Sequence, residues 1–327
     1  MRDLPPWREI ACGTAEELLE ALSPASEYFR GADHGDWVFR GQANANWGLS
    51  PSAFRPNPLL FDPLVADPFD EWYNAHQMAA ELHALIRFFN LADSSGLPLP
   101  EDSQRIRFLL RDMQDRRVSR PHYSEAAPWP PSELWSLLGL AQHHEIPTRL
   151  LDWTRNSFTA AYFAAATNAA NPSFDRLAIW AYHAKMDEMG VLAAKISGYT
   201  HTVQIVTAPY ANNPNLRAQE GLFIILASSE PLDPKIHAQR YDLTDALASV
   251  RNVSGHTALL KFTAPVSECR AVLRLLQKFR VTPATLFPGY AGVVAAMREE
   301  ELWRTRSRMF SAGYEMKRRR DAADGDT

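Results

Sequence analysis

Residues 142–166, QHHEIPTRLLDWTRNSFTAAYFAAA, set the tightest limit on how this chain folds. Pro147 ends a helix at Ile146, because the residue before a proline is pushed towards extended backbone. RLLDW then reads as a short strand. Leu150, Leu151 and Trp153 do not alternate as a half-exposed strand would, so the strand is expected to be buried on both sides, Asp152 included. An apolar helix follows at once, with Phe158, Ala161, Tyr162 and Ala165 as its packing residues. A buried strand that runs straight into an apolar helix needs layers of both kinds around it.

The rest of the chain supplies them. Thr14 with Glu17 is a capping-box start for a first helix. DWVFRGQ (36–42) reads as a strand, and residues 70–118 read as helical, with Met78, Leu82, Leu85, Ile86 and Phe89 on one face and a break at Gly96, Pro98 and Pro100. Ser132 starts a further helix after the stiff PWPP run. LAIWAYH, LFIILAS and HTALLKFTA read as strands, Ser267 as the cap of ECRAVLRLLQKF, and a last helix follows LFPGY. The expected fold class is α+β: a single domain with a central mixed or antiparallel sheet and a helical insertion after the first strand. The expected divisions are an N-terminal helical segment at 1–30, the main domain at 31–296 with its insertion at about 57–140, and a helix with a charged tail at 297–327.

Composition narrows the function. The chain has 327 residues, of which 46% are hydrophobic, enough for a sizeable core, and its net charge of -4 draws it onto no polyanion. Two cysteines, the absence of an apolar leader and the absence of a long apolar run point to a cytoplasmic protein with no membrane segment. MKRRR at 316–320 is quenched by the acids that follow it and reads as a solvated end.

Three polar clusters remain. Arg40 stands in an aromatic strand and is followed by Gly41. A guanidinium there must meet a carboxylate, carbonyls or a phosphate, and the glycine admits a close neighbour. A structural ion pair is the alternative. In the second cluster, Arg149 and Asp152 either form a structural clasp or hold a ligand. Thr154 and Ser157 offer hydroxyls at a helix start suited to an anion. His143 is available, but no set of ligands completes a metal site. In the third, Arg217, Gln219 and Glu220 precede a strand; an ordinary loop-to-strand junction is the alternative. Arg40, Arg149, Asp152 and Gln219 are expected to converge on one cleft.

FRGQ with Trp47, Leu49, Pro51 and Ser52, the QHHEIPTRLLDWT run, RAQEGLF and LFPGY occur in an order that resembles the FRG-domain family. The chain departs from the family pattern at His144–Glu145 and Gly289–Tyr290. The resemblance implies a setting among antiphage-defence and toxin-like proteins. The order Arg–Gly strand, strand-to-helix segment with Thr and Ser, and late Gln/Glu is also similar to that of ADP-ribosyltransferases. That second resemblance implies NAD or a related nucleotide as cofactor, held by Arg40, Gly41, His143, Arg149, Asp152, Thr154, Ser157 and Arg217. It also implies Gln219 and Glu220 at the catalytic position and a macromolecular acceptor whose identity is open. It leaves out the usual STS triplet. A non-catalytic sensor using the same cleft is the second reading, and a hydrolase with His143 as base and Asp152 as its orienter the third.

Overall fold

The strand carrying Arg40 and the strand carrying Asp152 are neighbours near the middle of one sheet. The computed structural model describes residues 7–33, 36–55, 57–60, 74–119, 129–184, 193–196, 199–208, 210, 213–228, 242–244 and 259–302. The basic run at 316–320 lies outside them. In chain order the elements are β1 (Arg8–Ala11), α1 (Ala15–Ala21), β2 (Trp37–Gln42), α2 (Asn74–Ser94), α3 (Gln104–Ser119), α4 (Trp135–His143), β3 (Leu151–Thr154) and α5 (Ser157–Ala170). Then come β4 (Arg176–His183), β5 (Ala193–Ile196), β6 (Tyr199–Val206), α6 (Pro214–Ala218), β7 (Gly221–Ser228), β8 (Leu259–Pro265), α7 (Cys269–Lys278) and α8 (Pro283–Leu286). A further helical run covers residues 290–302.

The strands form one mixed, eight-stranded sheet in the order β1-β8-β4-β2-β3-β7-β6-β5. Only β1 against β8 is parallel; the other pairings are antiparallel. The fold is therefore α+β, and α2, α3 and α4 all fall between β2 and β3 in the chain. β1, β5 and β6 were not among the strands read from the sequence.

The faces follow from the register. Phe39, Ile179 and Phe262 point to one side, where α1, α5 and α7 close the core with Leu18, Ala161, Ala164 and Leu273. α7 shows why it sits there: Cys269, Val272, Leu273 and Leu276 make one buried stripe at helical spacing. Phe39 stands opposite Thr154 and Thr154 opposite Gly221, so Phe223 and Ile225 belong to the same side. There α2, α3 and α4 pack on β6 and β7 through Leu85, Phe89, Leu110 and Leu138. The other side is filled by Val38, Trp153, Trp180, Tyr182 and Leu222 under Leu49 and Phe54.

Local chemistry sets the helix ends. The Thr14 hydroxyl accepts from the Glu17 N–H at 3.2 Å, but the Glu17 carboxylate reaches the N–H of Gly13 at 2.7 Å rather than that of Thr14. Ser267 does not cap α7. It lies within a short 3-10 turn, Val266–Glu268, and Glu268 occupies the cap position without a side-chain bond. β3 also differs from expectation. Leu151, Trp153 and Thr154 are buried, whereas Asp152 is exposed. β2 and β3 register at a single pair, Phe39 with Thr154, so the sheet opens beside Asp152 and its side chain meets solvent.

Candidate functional site

That opening is a cleft of about 410 Å³ lined by Arg40, Gly41, Gln42, Asp152, Thr154 and Gln219, with Arg55, Trp47 and Phe163 around it. Arg40 reaches across the splayed strands. Its Nη1 donates to the Asp152 carbonyl at 2.7 Å and lies 3.6 Å from the Asp152 carboxylate. The Arg40 side chain is 17% exposed and that of Asp152 is 60% exposed. The Nε of Arg40 is buried and has no hydrogen-bond partner. Burial pulls the Arg40 pKa below the ordinary arginine range and the like charge of Arg55 adds to this, while Asp152 opposes both. Arg55 is held by its own bond to the Ser50 carbonyl at 2.7 Å. Among the described residues the cleft therefore presents two guanidiniums against a single, solvated carboxylate.

Asp152 is positioned from below by α4. Gln142 Nε2 donates to the Asp152 carboxylate at 3.1 Å, and its carbonyl oxygen accepts from the Thr148 hydroxyl at 2.7 Å. Ser52 bridges the same place: its hydroxyl donates to the Thr148 carbonyl at 3.2 Å and accepts from the Thr148 N–H at 3.1 Å. On the Arg40 side, the Gln42 amide donates to the Gly48 carbonyl at 2.8 Å and accepts from Trp180 Nε1 at 2.7 Å. The segments around Arg40, Ser52 and Asp152 are thus fastened by buried or half-buried amides, which costs nothing only because each is satisfied.

Thr154 and Gln219 close the other end. The Thr154 hydroxyl donates to the Gln219 carbonyl at 2.6 Å and accepts from the Asn156 N–H at 3.0 Å. Gln219 Nε2 donates to the Leu286 carbonyl at 3.1 Å. Three sequence-distant motifs are joined by this chain of bonds, and both polar side chains are already engaged at the cleft wall.

Arg40 and Gln219 thus share one cleft, together with Gly41, Asp152 and Thr154. The other expected site residues lie elsewhere. Arg149 is in the core, where its Nε donates to both oxygens of Glu81 at 2.8 and 3.0 Å and its guanidinium lies over Phe54 at 5.2 Å. Glu81 also accepts from Trp129 Nε1 and from Gln77. Arg149 is a structural ion-pair residue because a buried charge must be fully paired, and α2 supplies the partner. Ser157 is buried and donates to the Leu22 carbonyl at 2.7 Å, so its hydroxyl does not face a ligand.

The start of α5 is likewise occupied. Asn156 is its N-cap and accepts from the N–H groups of Phe158 and Thr159, the donors an anion would have used. Glu220 is not on the cleft wall; its carboxylate accepts from Asn156 Nδ2 at 3.1 Å, and it holds a left-handed backbone at φ 49°. Arg217 is exposed and also off the wall. His143 lines a different cavity, with His144. Gly41 has a packing reason: a Cβ there would collide with the Ala160 carbonyl and lie 2.8 Å from the Ala164 nitrogen, so the glycine lets α5 lie against β2.

Sequence reasoning missed Arg55, Gln42, Gln142 and Asn156. Asn156 carried a readable signal, an Asn directly before an apolar helical run. The other three carry no such signal: Arg55 bonds Ser50, Gln142 bonds Thr148 and Asp152 across a turn, and Gln42 bonds Gly48 and the distant Trp180. Among the described residues no cluster of His, Cys, Asp and Glu is arranged to hold a metal ion, and no helix is long and apolar enough to cross a membrane.

No curated protein and no solved structure matches this chain. A family model does. Its match covers residues 35–173, from just before β2 to just after α5, and so takes in Arg40, Ser52, Gln142, Asp152 and Thr154, the residues tied together around the cleft. The chain therefore contains an FRG domain, spanning residues 35–173.

Proposed function

We propose that the FRG domain binds a nucleotide, NAD or its ADP-ribose portion, in the Arg40 cleft. One observation carries this reading: Arg40, whose side chain is 17% exposed and whose buried Nε has no partner, shares the cleft wall with Arg55, and Asp152 is the one carboxylate among the described lining residues and is largely solvated. A phosphate gives such a pair the charge-assisted acceptors it lacks. Trp47 and Phe163 are partly exposed on the same cleft and offer faces for a base or nicotinamide ring. The volume of 410 Å³ falls in the usual range for small-ligand sites, about 300–1,000 Å³.

ADP-ribosyl transfer is the second reading, supported by Arg40 and Gln219 lining one cleft. The Gln219 amide is committed to Leu286, and Glu220 stands off the wall, so among the described residues the carboxylate available to a ribose cation there is Asp152. A role as a defence effector is the setting implied by the family resemblance.

Calorimetric titration with ADP-ribose and NAD tests the binding reading. Arg40→Gln is expected to weaken ADP-ribose roughly 10- to 100-fold, the loss of one charge-assisted bond of about 1.5–3 kcal/mol, while the protein still melts cooperatively. Equal binding by wild type and variant, or none by wild type, overturns it. Release of nicotinamide from NAD by the wild type with the ADP-ribose recovered on a macromolecular acceptor, both lost in Asp152→Asn, would place transfer above simple binding; free ADP-ribose as the product would mean hydrolysis by water.

A further inference from the structure

A larger cavity, about 820 Å³ against 410 Å³ for the cleft, lies among α2, the segment after it, α4, α6 and β7. Its walls are Phe88, Leu97, Leu99, Leu140, Leu216 and Phe223, none of which lines the Arg40 cleft. Its polar groups are His143, His144, Asn213, Asn215, Ser136 and Glu101. Among the described residues that line it there is no arginine or lysine to give an anion a countercharge. Glu101 is already engaged, accepting from the Ser136 hydroxyl at 2.6 Å. His143, His144 and Asn215 offer hydrogen-bonding groups beside apolar and aromatic walls. His144 lies in ring contact with both His143 and Phe88, at centroid distances of 5.1 and 6.2 Å, and so continues the aromatic wall.

We propose that this cavity is a second ligand site, for an uncharged, largely apolar small molecule that bears a hydrogen-bonding group. The space opens to solvent, with Leu97 59% exposed and His143 and His144 exposed, so its apolar walls stand beside water instead of inside the core. A space of this size with convergent polar groups has the make-up of a small-molecule pocket rather than of a packing fault. The chemistry is opposite to that of the cleft. Among the described residues, one cavity has two cations and partial aromatic cover; the other has aliphatic and aromatic walls and no cation.

The test uses the full-length protein and N-phenylnaphthylamine, an uncharged aromatic amine whose fluorescence rises in apolar surroundings. The wild type is expected to bind it saturably. Leu140→Trp, from α4, and Leu216→Trp, from the facing α6, each fill the space and are expected to weaken the probe roughly tenfold or more. Two walls are used so that poor folding of one variant leaves the other to decide, with the thermal melt as the control. Arg40→Gln is expected to leave probe binding unchanged. Absence of saturable binding by the wild type, or undiminished binding by a folded filling variant, overturns the proposal.

Discussion

Arg149 and Arg40 are both flanked by packing residues in sequence, yet they have opposite fates. Arg149 meets Glu81 in the core, with side chains 4% and 6% exposed, and the same carboxylate is shared with Trp129 and Gln77. Arg40 meets a backbone carbonyl and the edge of a solvated Asp152, and keeps one buried donor without an acceptor. A fully satisfied guanidinium has nothing left to offer a ligand. The difference separates a charge that holds the fold from one that remains available to a ligand.

Breaking the Arg149 pair gives the largest expected effect. Arg149→Ala strands Glu81 in the core and is expected to cost about 3–5 kcal/mol in urea unfolding. If the cost is under about 1 kcal/mol, the two arginines are not different in kind. A smaller loss, about 1 kcal/mol, is expected for Asn156→Ala, which removes the cap of α5. ADP-ribose affinity is expected to stay the same, because the capped N–H groups take no part in binding. Tighter ADP-ribose binding by Asn156→Ala would mean that the helix end competes for the anion after all.

Asp152→Asn sharpens the Arg40 side with the smallest change in stability, since an ion pair with a largely exposed carboxylate is worth about 0–1 kcal/mol. The bond from Arg40 to the Asp152 carbonyl survives this substitution. Removing this negative charge from beside Arg40 and Arg55 is expected to leave ADP-ribose affinity unchanged or to raise it slightly, most visibly at low salt. A tenfold weakening in the same titration would show that the carboxylate itself touches the ligand. The earlier expectation that Asp152 is a buried stabilising group does not survive its 60% exposure.

Much of the secondary structure was legible because its signals are local. The strands around Arg40, Ile179 and Ile224 are apolar runs that leave few alternatives. Met78, Leu82, Leu85 and Phe89 mark α2 by spacing alone. β5 and β6 were harder to read, since TYR-THR-HIS-THR-type alternation beside polar residues gives a weak signal without the partner strand. The motif residues were also recognisable as polar groups too costly to bury alone.

By itself, then, the sequence determined that this is an α+β chain with strands at Arg40 and Asp152, and that these polar residues need partners. Only the tertiary structure decided which partners they have. Glu81 stands 68 positions from Arg149, and the Asp152 carbonyl 112 positions from Arg40. Nothing in the few residues around an arginine encodes a contact at that range. The splay of β2 from β3 after a single registered pair creates the opening, and the packing of α2 beneath Arg149 closes the other site. Periodicity reports which face a residue takes; the energetic role of a charge depends on the dielectric and the acceptors that distant chain brings to it.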